Sequence, residues 1–201
     1  KGNVTTTEGA SGEVKSSFSA SATETQEVEI TKEGSAIKGT SLSMAPGTLS
    51  INSDITIEEG GDIADSTALS DLQLGGSTAK VGPSVVLTSS EKIDAKLPFP
   101  LAIPVTSTGL PLADTCSLGK YLVVFFRVTK VSVGEGLFTG VIPTTELSEI
   151  DGKVSFKTQF FGAYQAACIS VEVTEKKEVT TAVPIVKKGQ TTELTGTWEG
   201  S

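Results

Sequence analysis

Acidic side chains gather in one short stretch, at Glu58, Glu59, Asp62, Asp65 and Asp71. Calcium takes about six to eight oxygen ligands, and a flexible acidic loop with glycines such as Gly60 and Gly61 can supply them. Glu58, Glu59, Asp62 and Asp65 are therefore the candidate calcium ligands. Their spacing departs from the D-x-D-x-D-G loop, and a solvated acidic loop is the simpler reading. No other cofactor is suggested. Paired carboxylates can also hydrolyse glycosides, one as acid and one as base or nucleophile. Asp62 with Asp65, and Glu149 with Asp151, are the nominal pairs. Neither lies in a stretch rich in aromatic residues, which are 5% of the chain.

Other chemistry is restricted by composition. The chain has no histidine. That removes Ser-His-Asp and Cys-His catalysis, imidazole acid–base chemistry and almost every catalytic zinc or iron site. Serine and threonine abound, but "SSEK" at 89–92 has the wrong lysine spacing for a Ser-x-x-Lys nucleophile. Arg127 is the sole arginine, so bidentate clamps for phosphate are nearly absent. The net charge of −8 argues against nucleic acid as a partner, because a nucleic-acid surface needs clustered lysine and arginine. It argues equally against docking on anionic lipid by charge. The readings together point to a protein that is not an enzyme.

Cys116 and Cys168 are the only cysteines. A single pair in an acidic, Ser/Thr-rich chain fits an exported protein with one disulfide, and two buried free thiols are the alternative. The bond would contribute about 4 kcal/mol in the loop-entropy picture. No apolar run reaches the ~20 residues of a membrane span. The sequence begins at Lys1 without methionine or a visible signal peptide, as expected of a mature form or an excised fragment.

These residues must be held by strands. From residue 27 onward the hydrophobic period is two. The runs 27–31, 36–46, 53–60, 84–89, 97–105, 120–134, 137–143, 152–160 and 163–174 read as short strands, divided by Gly, Pro, Asn and Asp. Gly39 is a possible bulge within the second run. The run 121–128 is apolar on both sides, as at the centre of a layered structure. Pro98, Pro100 and Pro104 mark 97–105 as an edge strand or one that changes sheet. Between 60 and 76, Ile63, Leu69 and Leu72 fit either one short helical turn or a loop that packs down. The prediction is an all-β, two-sheet antiparallel β-sandwich over 27–174. Residues 1–26, dominated by Thr, Ser, Gly, Ala and Glu, read as a flexible spacer. Residues 175–201 read as final strands or a linker to a following domain.

Phe160-Phe161-Gly162 followed by Tyr164 is either a reactive site or the corner of a sheet. The sheet corner is the reading favoured by residue type. Glycine can adopt backbone shapes closed to other residues, and a buried tyrosine can bond its hydroxyl to backbone.

The stretch 34–60 resembles the opening of the β-sandwich domain shared by ankyrins, netrin receptors and zonula-occludens proteins, in the form found in exported bacterial lipoproteins. The matching pieces are Gly34, Gly39-Thr40-Ser41-Leu42, Pro46-Gly47-Thr48-Leu49 and Ile55-Thr56-Ile57. Val81-Gly82-Pro83, the Pro-flanked run Leu97–Val105, Phe156-Lys157-Thr158 and the corner with Tyr164 continue the pattern, over about residues 34–173. Some members of the family cleave themselves at a His-Phe-Ser corner. Here that position resembles Phe160-Phe161-Gly162, which offers neither a histidine nor a hydroxyl nucleophile, so the resemblance implies a chemically silent corner. Gly196-Thr197-Trp198 is similar to the Gly-x-Trp start of lipocalin-like barrels, which implies a further domain.

The resemblance implies a non-catalytic exported module at the bacterial cell surface, outer membrane or periplasm. Its parent would be a lipoprotein, anchored by lipid, and its loops would contact protein or glycan. The alternatives are a structural spacer domain of a larger adhesin or fibre, and an unrecognised carboxylate hydrolase.

Overall fold

The structure is a computed structural model that describes residues 2–6, 15–105, 115–150 and 152–181. Among these residues fourteen strands run in chain order: β1 Gly2–Thr6, β2 Lys15–Ala20, β3 Gln26–Ile30, β4 Ser41–Met44, β5 Ser53–Gly60, β6 Thr78–Lys80, β7 Ser84–Ser89, β8 Phe99–Pro104, β9 Tyr121–Lys130, β10 Gly134–Ile142, β11 Ser148–Ile150, β12 Lys153–Thr158, β13 Gly162–Ile169 and β14 Lys177–Thr181. One sheet has the order β1-β3-β4-β8-β12-β11, and the other β14-β10-β9-β13-β7-β5-β2, with β6 also paired to β13. Every pairing among the described residues is antiparallel except β1 with β3. The chain is thus the all-β sandwich of two sheets that its period-two pattern predicts.

The alternation sets the core. Val28 and Ile30, Leu42 and Met44, Ile55 and Ile57, Leu101 and Ile103, and Val154 and Phe156 point inward from successive strands. Each such side chain contributes about 1.5–3 kcal/mol of burial free energy. On β9 the inward set is Leu122, Val124, Phe126 and Val128. The opposite set, Val123 and Phe125, is equally buried, because residues 63–74 cover the outer face of that sheet. This cover contains a six-residue helix, α1 (Ser66–Asp71), which starts where Asp65 Oδ1 accepts from the Ala68 N–H. Ile63, Ala64, Ala68, Leu69 and Leu72 form its buried side. Of the two sequence readings of 60–76, the short helical turn is the one adopted.

Several expectations change. Part of the segment read as a spacer belongs to the sandwich: β2 pairs with β5 from Lys15↔Glu58 to Ala20↔Ser53, and Phe18 and Ala20 enter the core. Its inward residues Ser16, Phe18 and Ala20 are mostly small, so burial left little hydrophobic signal. Residues 7–14 lie outside the described residues. In the C-terminal segment, Lys177–Thr181 is a strand on β10, and residues 182–201 lie outside the described residues.

β8 is neither an edge strand nor one that changes sheet, since it lies between β4 and β12. Its prolines are tolerated for a geometric reason. Backbone groups alternate sides along a strand. The Val105 N–H reaches Gly152 on the β12 side, so Pro100 and Pro104 face the β4 side, where β4 pairs only with Leu101 and Ala102. By that register Pro104 falls opposite Gly39, outside β4, and Pro100 falls opposite Ser43, where the β4–β8 pairing stops. Gly39 forms the expected bulge: at φ +97° its N–H bonds the Ile30 carbonyl while the Ile30 N–H bonds the Thr40 carbonyl, so Gly39 and Thr40 together stand opposite Ile30.

Candidate functional site

The acidic stretch is divided among separate tasks. Glu58 and Glu59 end β5. Asp62 Oδ2 pairs with Lys80 Nζ at 2.8 Å, and its Oδ1 accepts from Gln165 Nε2 at 2.9 Å. Those hydrogen bonds, the lysine's first, hold the Asp62 carboxyl below its ordinary range. Asp65 caps α1, and Asp71 lies exposed at its end. Among the described residues no group of three or more carboxylate or thiol side chains converges as a metal cluster would. Glu149 lies on β11, but nothing of its side chain is described, and Asp151 lies outside the described residues.

Cys116 and Cys168 are joined, with Cα atoms 5.6 Å apart. Cys168 lies on β13, and Cys116 precedes β9, so the bond fastens the connection from β8 to the centre of the larger sheet.

The Phe160–Tyr164 segment is a packed corner. The Tyr164 O–H donates to the Phe160 carbonyl at 2.6 Å and lies 2.6 Å from Thr158 Oγ1. Burial pushes the Tyr164 hydroxyl pKa up. Phe161 stacks on Phe99 with ring centres 6.1 Å apart. Phe160 is half-buried beneath Lys130 Nζ, which sits 4.6 Å from its ring centre and 4.9 Å from that of Phe138. The same ammonium donates to Glu178 Oε1 and Oε2 at 2.8 and 2.6 Å, tying edge strand β14 back to β9. Gly162 has φ +155°, and a Cβ there would meet the Arg127 carbonyl oxygen and, at 2.6 Å, Val128 Cα. Only glycine permits this approach of β13 to β9.

Four loops meet at this end of the sandwich: 45–52, 90–98, 131–133 and 159–161. They are tied to one another. Asp94 Oδ1 and Oδ2 accept from the Val131 and Ser132 N–H groups at 2.8 and 2.9 Å. Ala95 donates to the Gln159 carbonyl, and Lys96 to that of Thr48. Four of the five exposed large apolar residues among those described lie in these loops: Ile51 (46%), Leu97 (47%), Val131 (37%) and Val133 (65%). A groove of about 840 Å³ runs between β7 and the β9–β10 hairpin, with Phe161 and Ile93 in its lining. A second, of about 440 Å³, lies next to it beside Asp94, Val131 and Phe160. Charge in the larger groove comes from Glu91 and Lys92.

This loop end was not foreseen, because an isolated apolar residue in a turn carries no periodic signal. Gln165 was hidden for the opposite reason, as one polar residue in the apolar run of β13. It is fully buried. Its Oε1 accepts from Ile63 and Ala64 at 2.8 and 3.0 Å, and its Nε2 donates to Asp62 Oδ1 and to the Gly82 carbonyl at 2.9 Å each. All its hydrogen-bonding capacity is used within the fold, so its role is to hold the outer cover in place. The chain matches no protein-family model and no curated protein.

Proposed function

We propose that this chain is an exported, non-catalytic bacterial module of the cell surface, outer membrane or periplasm, carried by a lipid-anchored parent. It contacts protein or glycan through the loop end of the sandwich. The observation that carries this reading is the placement of Ile51, Leu97, Val131 and Val133 in water, at the end of the sandwich where the loops 45–52, 90–98, 131–133 and 159–161 meet. Exposed apolar groups concentrated beside a groove are characteristic of interaction surfaces. The Cys116–Cys168 bond supports an oxidising compartment. The resemblance to the ankyrin, netrin-receptor and zonula-occludens sandwich points the same way. Among the described residues no helix is long and apolar enough to cross a membrane, and attachment by lipid requires none.

The test is made on cells of the source organism. Protease added to intact cells or spheroplasts should degrade the protein, and thiol alkylation without reductant should leave both cysteines unlabelled. A protease-protected protein with both thiols alkylated would place the chain in the cytoplasm and defeat the proposal.

A further inference from the structure

The larger sheet has an open strand position at the loop end. β13 begins at Gly162 and covers β7 only at Val85 and Val86. On the other edge of β7, β5 pairs along the whole strand, from Ser84 to Ser89. The Ser90 N–H points to β5, where it bonds the Asp54 carbonyl. By alternation, Leu87 and Ser89 turn their backbone groups the other way, into the groove. The register of Ala163 with Val86 occupies the Leu87 N–H. The Leu87 carbonyl and the Ser89 N–H and carbonyl are left without a strand beside them among the described residues.

On the opposite wall two backbone N–H groups are already engaged. The Thr129 N–H donates to the Phe161 carbonyl at 3.2 Å, and the Val131 N–H is held by Asp94. The groove therefore has one wall with an open strand edge, one whose Thr129 and Val131 N–H groups are already engaged, and an apolar lining that includes Phe161 and Ile93. An apolar small molecule would leave the β7 edge unmet. An extended peptide matches it, because only a strand presents donors and acceptors at the spacing of another strand.

We propose that this groove binds an extended segment of a partner protein, which adds a short strand beside Leu87–Ser89 and directs alternate apolar side chains toward Phe161 and Ile93. Because the chain carries a net charge of −8, a segment bearing lysine or arginine is favoured. The inference rests on the module reading above and names the class of partner.

The probe is a displayed library of random short linear peptides, selected on the full chain. Sequences enriched on the wild type should be basic with alternating apolar residues. Amide shifts on titration of the synthesised peptide should fall on 87–93, 129–136 and 161–162. Methylating alternate peptide nitrogens should weaken binding by about tenfold or more. Ser89→Pro, which removes the donor, and Ile93→Lys, which charges the lining, should each weaken it similarly while the circular dichroism stays unchanged. If Ser89→Pro misfolds, Ile93→Lys and the methylated peptide still decide.

No enrichment over the Ile93→Lys protein, shifts elsewhere, or indifference to N-methylation would overturn the proposal. So would a dimer whose interface covers the groove, or peptide binding that emerges only after deletion of residues 182–201. In those cases a surface-exposed, oxidised protein would keep the module reading intact, whereas a reduced cytoplasmic one would remove its basis.

Discussion

The hydroxyl of Tyr164 reaches back four residues to the carbonyl of Phe160, at 2.6 Å, and closes the corner where the chain passes from the smaller sheet into the larger. The same oxygen meets Thr158 Oγ1. Three polar groups from one short loop are therefore satisfied at a buried point. The tyrosine corner of immunoglobulin-type sandwiches uses the same physics.

Tyr164→Phe keeps the ring and removes that hydroxyl. The Phe160 carbonyl and the Thr158 hydroxyl lose a partner in a buried setting, so unfolding in denaturant should show a loss of about 1–3 kcal/mol. Alkaline titration gives a second reading. Burial raises the folded-state pKa above the value of about 10 found in unfolded chains. The contribution of this group is fully present below pH 10. As pH rises above 10 the unfolded chain ionises first, and stability falls by up to about 1.4 kcal/mol per pH unit. Tyr164→Phe should lack that portion of the fall. Identical alkaline slopes for the two proteins would refute the assignment.

Gly162→Ala tests the approach of β13 to β9. The added methyl meets the Arg127 carbonyl oxygen and Val128 Cα, and the backbone sits at a φ that a side chain disfavours. Steric overlap and backbone strain together should cost at least about 2 kcal/mol. A melting temperature within a degree or so of wild type would show that β13 shifts away freely.

How much of this was legible depends on residue type. β3, β5 and β12 were readable because Val28 and Ile30, Ile55 and Ile57, and Val154 and Phe156 alternate with polar neighbours. The disulfide was readable because the two cysteines had only each other. β2 was not, since two of its three inward residues are Ser16 and Ala20. β8 was misplaced because its prolines were judged without knowing which edge β4 leaves uncovered. The loop end could not be read at all, since Ile51, Leu97, Val131 and Val133 converge only through the closure of the sheets. The groove beside β7 is equally a product of register, because it exists where β13 starts.

Replacing both cysteines, Cys116→Ser with Cys168→Ser, frees the connection that enters β9. The closed loop spans a sequence separation of 52 residues. In the loop-entropy picture its release costs about 4 kcal/mol, and unfolding with and without reductant should differ by a comparable amount. The wild type should become less stable on reduction, and the double variant should not respond. A double variant as stable as the oxidised wild type would show that strand pairing alone holds the crossover.

Gln165→Leu removes one side chain and leaves four groups without it: the Ile63 and Ala64 N–H groups, the Gly82 carbonyl and Asp62 Oδ1. The first three are buried, and each unmet group costs about 1–3 kcal/mol, so the variant should lose at least about 3 kcal/mol. The loss should be local before it is global, because Gln165 fastens the cover over Val123 and Phe125 rather than the core between the sheets. Amide exchange should accelerate first across residues 63–74, while β5 and β12 stay protected. Asp62→Asn separates the electrostatic part. The folded-state carboxyl is held low, so its contribution is present above the unfolded value of about 4 and is lost as pH falls through the folded value. The asparagine variant should therefore be less sensitive to acid than wild type. Uniform acceleration of exchange throughout Gln165→Leu would mean that the cover and the sandwich unfold as a single unit.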